Sequence, residues 1–339
     1  MKATIVLLPL AAAALLAAPN LYRIVGTIPI GGEGGWDYLA VDAAARRLYI
    51  SHATKVVVVD VDANKIVGEI PDTPGVHGIA LAPKLNRGYI SNGRSNNITV
   101  FDLKTLKAIK QVETGQNPDA ILYEAKSNRV FVFNGRSKDA TVIDAATDRN
   151  VATIALGGKP EFSVADGKGK VYVNIEDTHE IAEIDAAKAT VTKRYVLTGC
   201  EDPTGLAIDV KHRRLFSACG NKVMAVSDPD HGKVIATVPI GGGSDGAGFD
   251  AGAGVAFTSN GEGTLTVVAE QAGKYIPVQT LPTHRGGRTM TVDPSSHKLY
   301  VPVVDYGPAP TPAAGQPPPR APMVPGSFRL LIIDQTAGK

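Results

Sequence analysis

From Arg23 onward, short β-branched and aromatic runs alternate with turn residues, a pattern that predicts strands. The clearest recurring unit is an aromatic-led strand followed by a second strand that usually ends in Asp. Tyr49–His52 leads to Val56–Asp60, Tyr89–Asn92 to Ile98–Asp102, Phe131–Asn134 to Ala140–Asp144, and Tyr172–Ile175 to Ile181–Asp185. Phe216–Cys219 leads to Val223–Ser227, Phe257–Asn260 to Leu265–Ala269, and Tyr300–Val303, after an insertion, to Leu330–Asp334. The first strands end at 52, 92, 134, 175, 219, 260 and 303, a period of about 42 residues. Each unit opens with a Gly- and Ala-rich run such as Gly78–Leu81 or Gly205–Ile208, and closes with a further strand such as Lys65–Ile70 or Lys233–Val238. Four strands per repeat, labelled a to d, at this period predict the blades of a seven-bladed all-β propeller. One such sheet cannot bury both faces alone, whereas radial stacking buries them and leaves only short edges.

The ends predict how the ring closes. The seventh repeat stops after strand c, and Arg23–Gly32 resembles Val234–Gly242, a strand d with its exit turn. The N-terminal strand is therefore expected to complete the last blade, giving one propeller domain over 22–334. The Asp residues at 60, 102, 144, 185 and 334 are expected to cap c–d turns through their side chains rather than bind metal.

Composition fits a globular chain: 44% hydrophobic and 20% charged, with 36 Gly and 23 Pro to serve tight turns. A formal net charge of +2 gives no reason to expect nucleic acid or an anionic membrane as partner. Lys2 followed by the apolar stretch Ile5–Ala18 reads as a signal peptide over 1–18, too short for a membrane span. The mature chain is then expected to be a soluble monomer in the periplasm or outside the cell. That oxidising setting permits a disulfide between Cys200 and Cys219, which the repeat register brings to one face.

The segment Tyr89-Ile90-Ser91-Asn92 and its counterparts resemble the Tyr-Val-Thr-Asn motif of the YVTN propeller repeat. Val142–Thr147 and Ile240–Gly242 fit the same repeat. The plan is similar to the exported YncE-like branch of that family, while His52, Ile175, Cys219 and Val303 depart from the motif's Asn. The resemblance implies the fold and the compartment. It implies little about activity, because related propellers include lactonases, metal-dependent sugar-lactone hydrolases and dehydrogenase subunits.

In four-stranded blades the d–a and b–c connections share a face, and by analogy with other propellers that face carries the ligand site. Counting back from each strand-b aromatic places Asp37, His77, Asp119, Glu161, Thr204, Gly246 and Arg288 at the start of strand a, around the channel mouth. The ends of strand b add His52, Asn92, Asn134, Asn174, Cys219 and Asn260, with Arg94 and Arg136 just beyond. Converging carboxylates repel unless a cation or proton lies between them. Asp37, His77, Asp119 and Glu161 are thus candidate ligands for a divalent cation, and Arg288 for an anionic substrate group. Trp36 is expected either to stack on a ligand or to pack between blades. The ordinary alternative is a hydrated polar mouth with no ligand.

Two functions compete on this reading. One is a binding protein of the cell envelope that uses the mouth to recognise a small ligand or another protein. The other is a metal-assisted hydrolase of a lactone or similar ester, with His77 and Arg288 as candidate catalytic residues. No nucleophile motif, paired-cysteine motif or haem-attachment motif is present. His179, His212, His231, His284 and His297 are expected on surface loops, with His284 near enough to Arg288 to join the ring. A Pro-rich insertion over 305–326, containing Arg320, is expected to form a stiff cover over the mouth.

Overall fold

The computed structural model of the chain describes residues 22–310 and 321–336. Seven separate four-stranded antiparallel sheets form the blades of a seven-bladed β-propeller. In blade two, for example, strands a to d are Val76–Ala82, Arg87–Asn92, Asn97–Asp102 and Ala108–Glu113. The last blade has the order predicted from the ends. The N-terminal strand Tyr22–Pro29 pairs with Arg329–Gln335 as its outer strand. The expected signal peptide lies outside the described residues. No helix among the described residues is long and apolar enough to cross a membrane.

Blade identity follows from what each strand must bury. The strand-b aromatics Tyr49, Tyr89, Phe131, Tyr172, Phe216, Phe257 and Tyr300 are all buried between neighbouring sheets. Each contributes roughly 1.5–3 kcal/mol of burial. Strand c supplies the facing Val and Ile residues. Phe131, Phe133 and Val142 of blade three, for instance, pack on Val171, Val173 and Ile184 of blade four. The outer strands are half polar and keep exposed Val67, Val151 and Val196.

Four of the five expected turn caps are present, while Asp334 caps no c–d turn because the outer strand of its blade comes from the N-terminus, and it accepts the Gln335 amide instead. Asp60, Asp102 and Asp144 each accept two backbone N–H groups of their c–d turns, and Asp185 accepts that of Lys188. Blade five has the same cap in Asp228, so its strand c runs one residue past the predicted end at Ser227.

The opposite ends of the blades carry a second series of acids. Asp42, Glu124, Asp166, Asp209, Asp250 and Asp293 close strand a and are buried. Four residues after Asp42, Asp209 and Asp293 come Arg46, Arg213 and His297, each with left-handed backbone. Their side chains cross to the acid of the preceding blade. Arg46 Nη1 reaches Asp293 at 2.7 Å, Arg213 Nη1 reaches Asp166 at 3.1 Å, and His297 Nδ1 reaches Asp250 at 2.8 Å. The two arginines also fork onto the exposed Asp62 and Asp230 of their own blades. A turn side chain thus latches one blade to the next, and Arg46 does so where blades one and seven meet.

Cys200 and Cys219 form a disulfide with Cα atoms 5.4 Å apart, inside the span that the bond requires. The bond links the blade four–five connection to strand b of blade five, 19 residues apart in sequence. Replacing both cysteines with serine is expected to lower stability by about 3 kcal/mol. Urea unfolding of variant and parent under oxidising conditions measures this. The gap should close when the parent is reduced.

Candidate functional site

The mouth is built by a local irregularity repeated at the start of strand a. In blades two to six the first residue of strand a pairs with the last residue of strand b, and the ladder then skips. Val76 pairs with Asn92 and Pro118 with Asn134, and the skip that follows releases His77 and Asp119 from the alternation of the strand. Such bulges re-aim a side chain, here toward the axis. Strand-b serines hold the bulges. Ser51 Oγ accepts the Asp37 amide at 2.7 Å, and Ser91 Oγ accepts the Gly78 amide at 2.8 Å and donates to the Asp119 carbonyl. Ser259 donates to the Arg288 carbonyl at 2.7 Å.

Three of the four predicted cation ligands come together. His77 Nδ1 donates to Asp37 Oδ2 at 2.6 Å and lies 3.6 Å from Asp119 Oδ1. One ligand atom from each of Asp37, His77 and Asp119 falls within 4.8 Å of the others. Asp119 Oδ1 is buried and accepts no hydrogen bond. Glu161 is drawn aside: its carboxylate is 2.6 Å from Lys159 Nζ, which also pairs with Glu176. The four-residue cluster predicted from the repeat is therefore a three-residue cluster with Glu161 as a neighbour.

Electrostatics follow from burial and crowding. Burial, followed by the Asp37 charge, pushes the Asp119 carboxyl up to about 7. Burial and the Asp119 charge raise Glu161 against the pull of Lys159. Burial would lower the His77 imidazole, but the hydrogen bond to Asp37 and the charge of Asp119 outweigh it, and its pKa stays above the ordinary value. The ring thus shares protons among groups that cannot all ionise together.

Other predicted residues have different roles. In blade six the ring residue is Asp245, not Gly246, because the strand pairs Ser244 with Asn260 before its skip. Asp245 binds Arg288 Nε at 2.9 Å. Arg288 also lies 3.7 Å from Asp37 and donates to the Trp36 carbonyl at 3.0 Å, so its charge is spent on the ring rather than offered to a substrate. The Thr204 hydroxyl rests on the Ser244 and Ala218 carbonyls.

Asn92, Asn134 and Asn260 are fully buried. Each bonds across its b–c hairpin to a strand-c threonine, Thr99, Thr141 or Thr266. Asn174 bonds the Thr204 and Gly205 carbonyls of the next blade. These amides are braces rather than ligand contacts. His52 is also removed from the mouth. It is buried and stacked on Phe328 at 4.5 Å. Gly32 has a left-handed backbone directly over it, where a Cβ would come within 2.7 Å of His52 Nε2. Trp36 packs on Phe328 at 5.1 Å, with the Arg288 guanidinium 5.8 Å from its ring, which decides for packing between blades. Cys219 is in the disulfide. Arg94 and Arg136 are exposed on the rim.

His284 does not join the ring. It bonds Asp305 at 2.9 Å and so ties the stem of the Pro-rich insertion to the blade six–seven connection. That stem closes through Gly307 N to the Pro322 carbonyl and Val324 N to the Asp305 carbonyl, each 2.8 Å. The expected cover with Arg320 lies outside the described residues. Beside the stem, a cavity of about 430 Å³ is lined by Arg285, Arg288 and Tyr306.

Sequence reasoning missed Tyr38. Its ring meets Phe162 at 5.0 Å. Its phenol is raised well above the ordinary value by burial and then by the charges of Asp119, Asp245, Asp37 and Glu161. It sits one position past the ring residue Asp37, which the count from the strand-b aromatic did not reach.

No family model matches the sequence, and no curated protein matches it. Among solved structures the chain is similar to hydrazine synthase of Kuenenia stuttgartiensis, at 16% identity and a TM-score of 0.71. The match covers 79% of this chain and 92% of that one. That likeness shows the shared fold.

Proposed function

We propose that this chain is an exported ligand-binding propeller of the cell envelope whose recognition site is the mouth ring, with a divalent cation as its first ligand. The observation that carries this is the convergence of Asp37, His77 and Asp119 within 4.8 Å, together with an Asp119 oxygen that has no hydrogen-bond partner. Two carboxylates and one imidazole suit Mn²⁺ or Zn²⁺, with positions left open for a further ligand. A cation there would relieve the repulsion among Asp37, Asp119 and Asp245. The YVTN-like repeats, the N-terminal apolar stretch and the disulfide support a YncE-like exported protein.

Elemental analysis of protein purified from an exporting host is expected to find bound metal. For metal-stripped protein, Mn²⁺ or Zn²⁺ at about 100 times its Kd should stabilise by about 2.7 kcal/mol, seen as a raised melting temperature that a chelator reverses. Asp119→Asn should lose the shift. No metal and no cation-dependent shift would defeat the proposal.

A further inference from the structure

The face opposite the mouth repeats one arrangement, a turn side chain laid against the buried strand-a acid of the preceding blade. At the blade four–five cleft, the Arg213 guanidinium lies between the buried Asp166 of the preceding blade, the Tyr172 hydroxyl at 3.1 Å and Asp230. At the blade seven–one cleft, Arg46 is held by buried Asp293 and by Asp62. In both clefts a planar cation fills the space beside a buried strand-a carboxylate.

The blade six–seven cleft keeps the carboxylate and lacks the guanidinium. The matching turn residue is His297, which is shorter and engages only Asp250 Oδ1. Asp250 is 2% exposed, and its Oδ2 has no hydrogen-bond partner. A cavity of about 500 Å³ opens there, lined by Asp250, Tyr22, Glu270, Gln271, His297 and Gln335, among others. Clefts one–two and five–six also lack the arginine and are also open, but Asp42 and Asp209 keep no buried oxygen without a partner. An unpaired buried carboxylate oxygen is costly, and here it belongs to a residue that lines an open cleft and corresponds to the Asp166 and Asp293 Oδ2 atoms that receive an arginine in the other two clefts.

We propose that the blade six–seven cleft binds a guanidinium group, with Asp250 Oδ2 as its anchor, Glu270 as the second acid at the opening, and the Tyr22 and Gln335 side chains as polar neighbours. Arginine's fork geometry suits such a buried carboxylate better than a lysine ammonium does. The guanidinium can belong to a small guanidino compound or to an arginine side chain of another protein.

Calorimetric titration of the purified mature protein with agmatine and with the peptide acetyl-Gly-Arg-Gly-amide tests this. At least one of them should bind saturably. Agmatine alone points to a small molecule, and equal or tighter binding of the peptide points to a protein arginine. His297→Arg should supply the missing group from within and weaken binding by tenfold or more. Asp250→Asn, which retains the Oδ1 acceptor, should do the same and keeps the test open if the first variant folds poorly. Saturable binding by neither probe overturns the proposal. So does binding that neither substitution weakens in folded protein.

Discussion

Replacing Arg46 with alanine is expected to lower the unfolding free energy at pH 7 by about 3–5 kcal/mol, the cost of leaving a buried charge without its partner. The Asp293 side chain is fully buried and receives Arg46 Nη1 at 2.7 Å, Ser296 Oγ at 2.6 Å and the Ser295 amide at 3.0 Å. Burial alone would raise this carboxyl, but the Ser296 hydroxyl and the Arg46 guanidinium outweigh it and hold it below the ordinary value. A depressed folded pKa gives stability that is present above the unfolded value of about 3.9 and lost as pH falls through the folded value. The difference between parent and variant should therefore be largest near neutrality and shrink toward and below about pH 4. Adding Asp293→Asn to the alanine variant should recover part of the loss, because no buried charge is then stranded. Urea unfolding of the parent and the two variants at pH 7 and pH 4 measures all of this. A loss below about 1 kcal/mol at pH 7 would show that Asp293 is adequately held by its own turn.

The blades were legible because the repeat states one hydrophobic pattern seven times, and the ring closes only if the N-terminal strand takes the place of the missing one. The disulfide was legible for the same reason: register alone puts Cys200 and Cys219 on one face. The ring was legible to within one residue. His77 and Asp119 follow from counting, whereas blade six is offset by one because its ladder skips fewer residues, and a skip leaves no mark on residue type. The strand-b ends were misread because a polar residue at the end of a strand looks like rim. Asn92 and Asn134 instead turn inward across their hairpins to Thr99 and Thr141, threonines whose regular spacing seven residues later is visible in the sequence. Arg288 was read as free for an anion because its partner Asp245 had been passed over in favour of Gly246. The interblade latches were available as a signal, an arginine or histidine four residues after a strand-a acid in three repeats, yet a turn arginine taken singly reads as surface charge.

Protons and metal should compete at the mouth, so the affinity of the ring for Mn²⁺ is expected to rise steeply between pH 6 and pH 8. A ligating imidazole must be neutral and a ligating carboxylate ionised, so binding releases whatever protons those groups hold. Asp119, near 7 through burial and then the Asp37 charge, changes from mostly protonated to mostly ionised across that interval. That alone gives roughly a tenfold gain in affinity. His77, above its ordinary value once the Asp37 hydrogen bond and the Asp119 charge outweigh burial, must also give up its proton to bind the cation, which adds to the gain. The sign is the same for both, and metal is bound more weakly as pH falls. Calorimetry at pH 6, 7 and 8, with two buffers of different ionisation enthalpy at each pH, counts the protons released. At pH 7 Asp119 should contribute about half a proton, and His77 should add to it. His77→Gln removes one titration and leaves both carboxylates in place, so its affinity should be lower at pH 8 and its dependence on pH shallower. A Kd for the parent that is the same at pH 6 and pH 8, with no proton release, would mean that the cation does not enter between Asp37, His77 and Asp119.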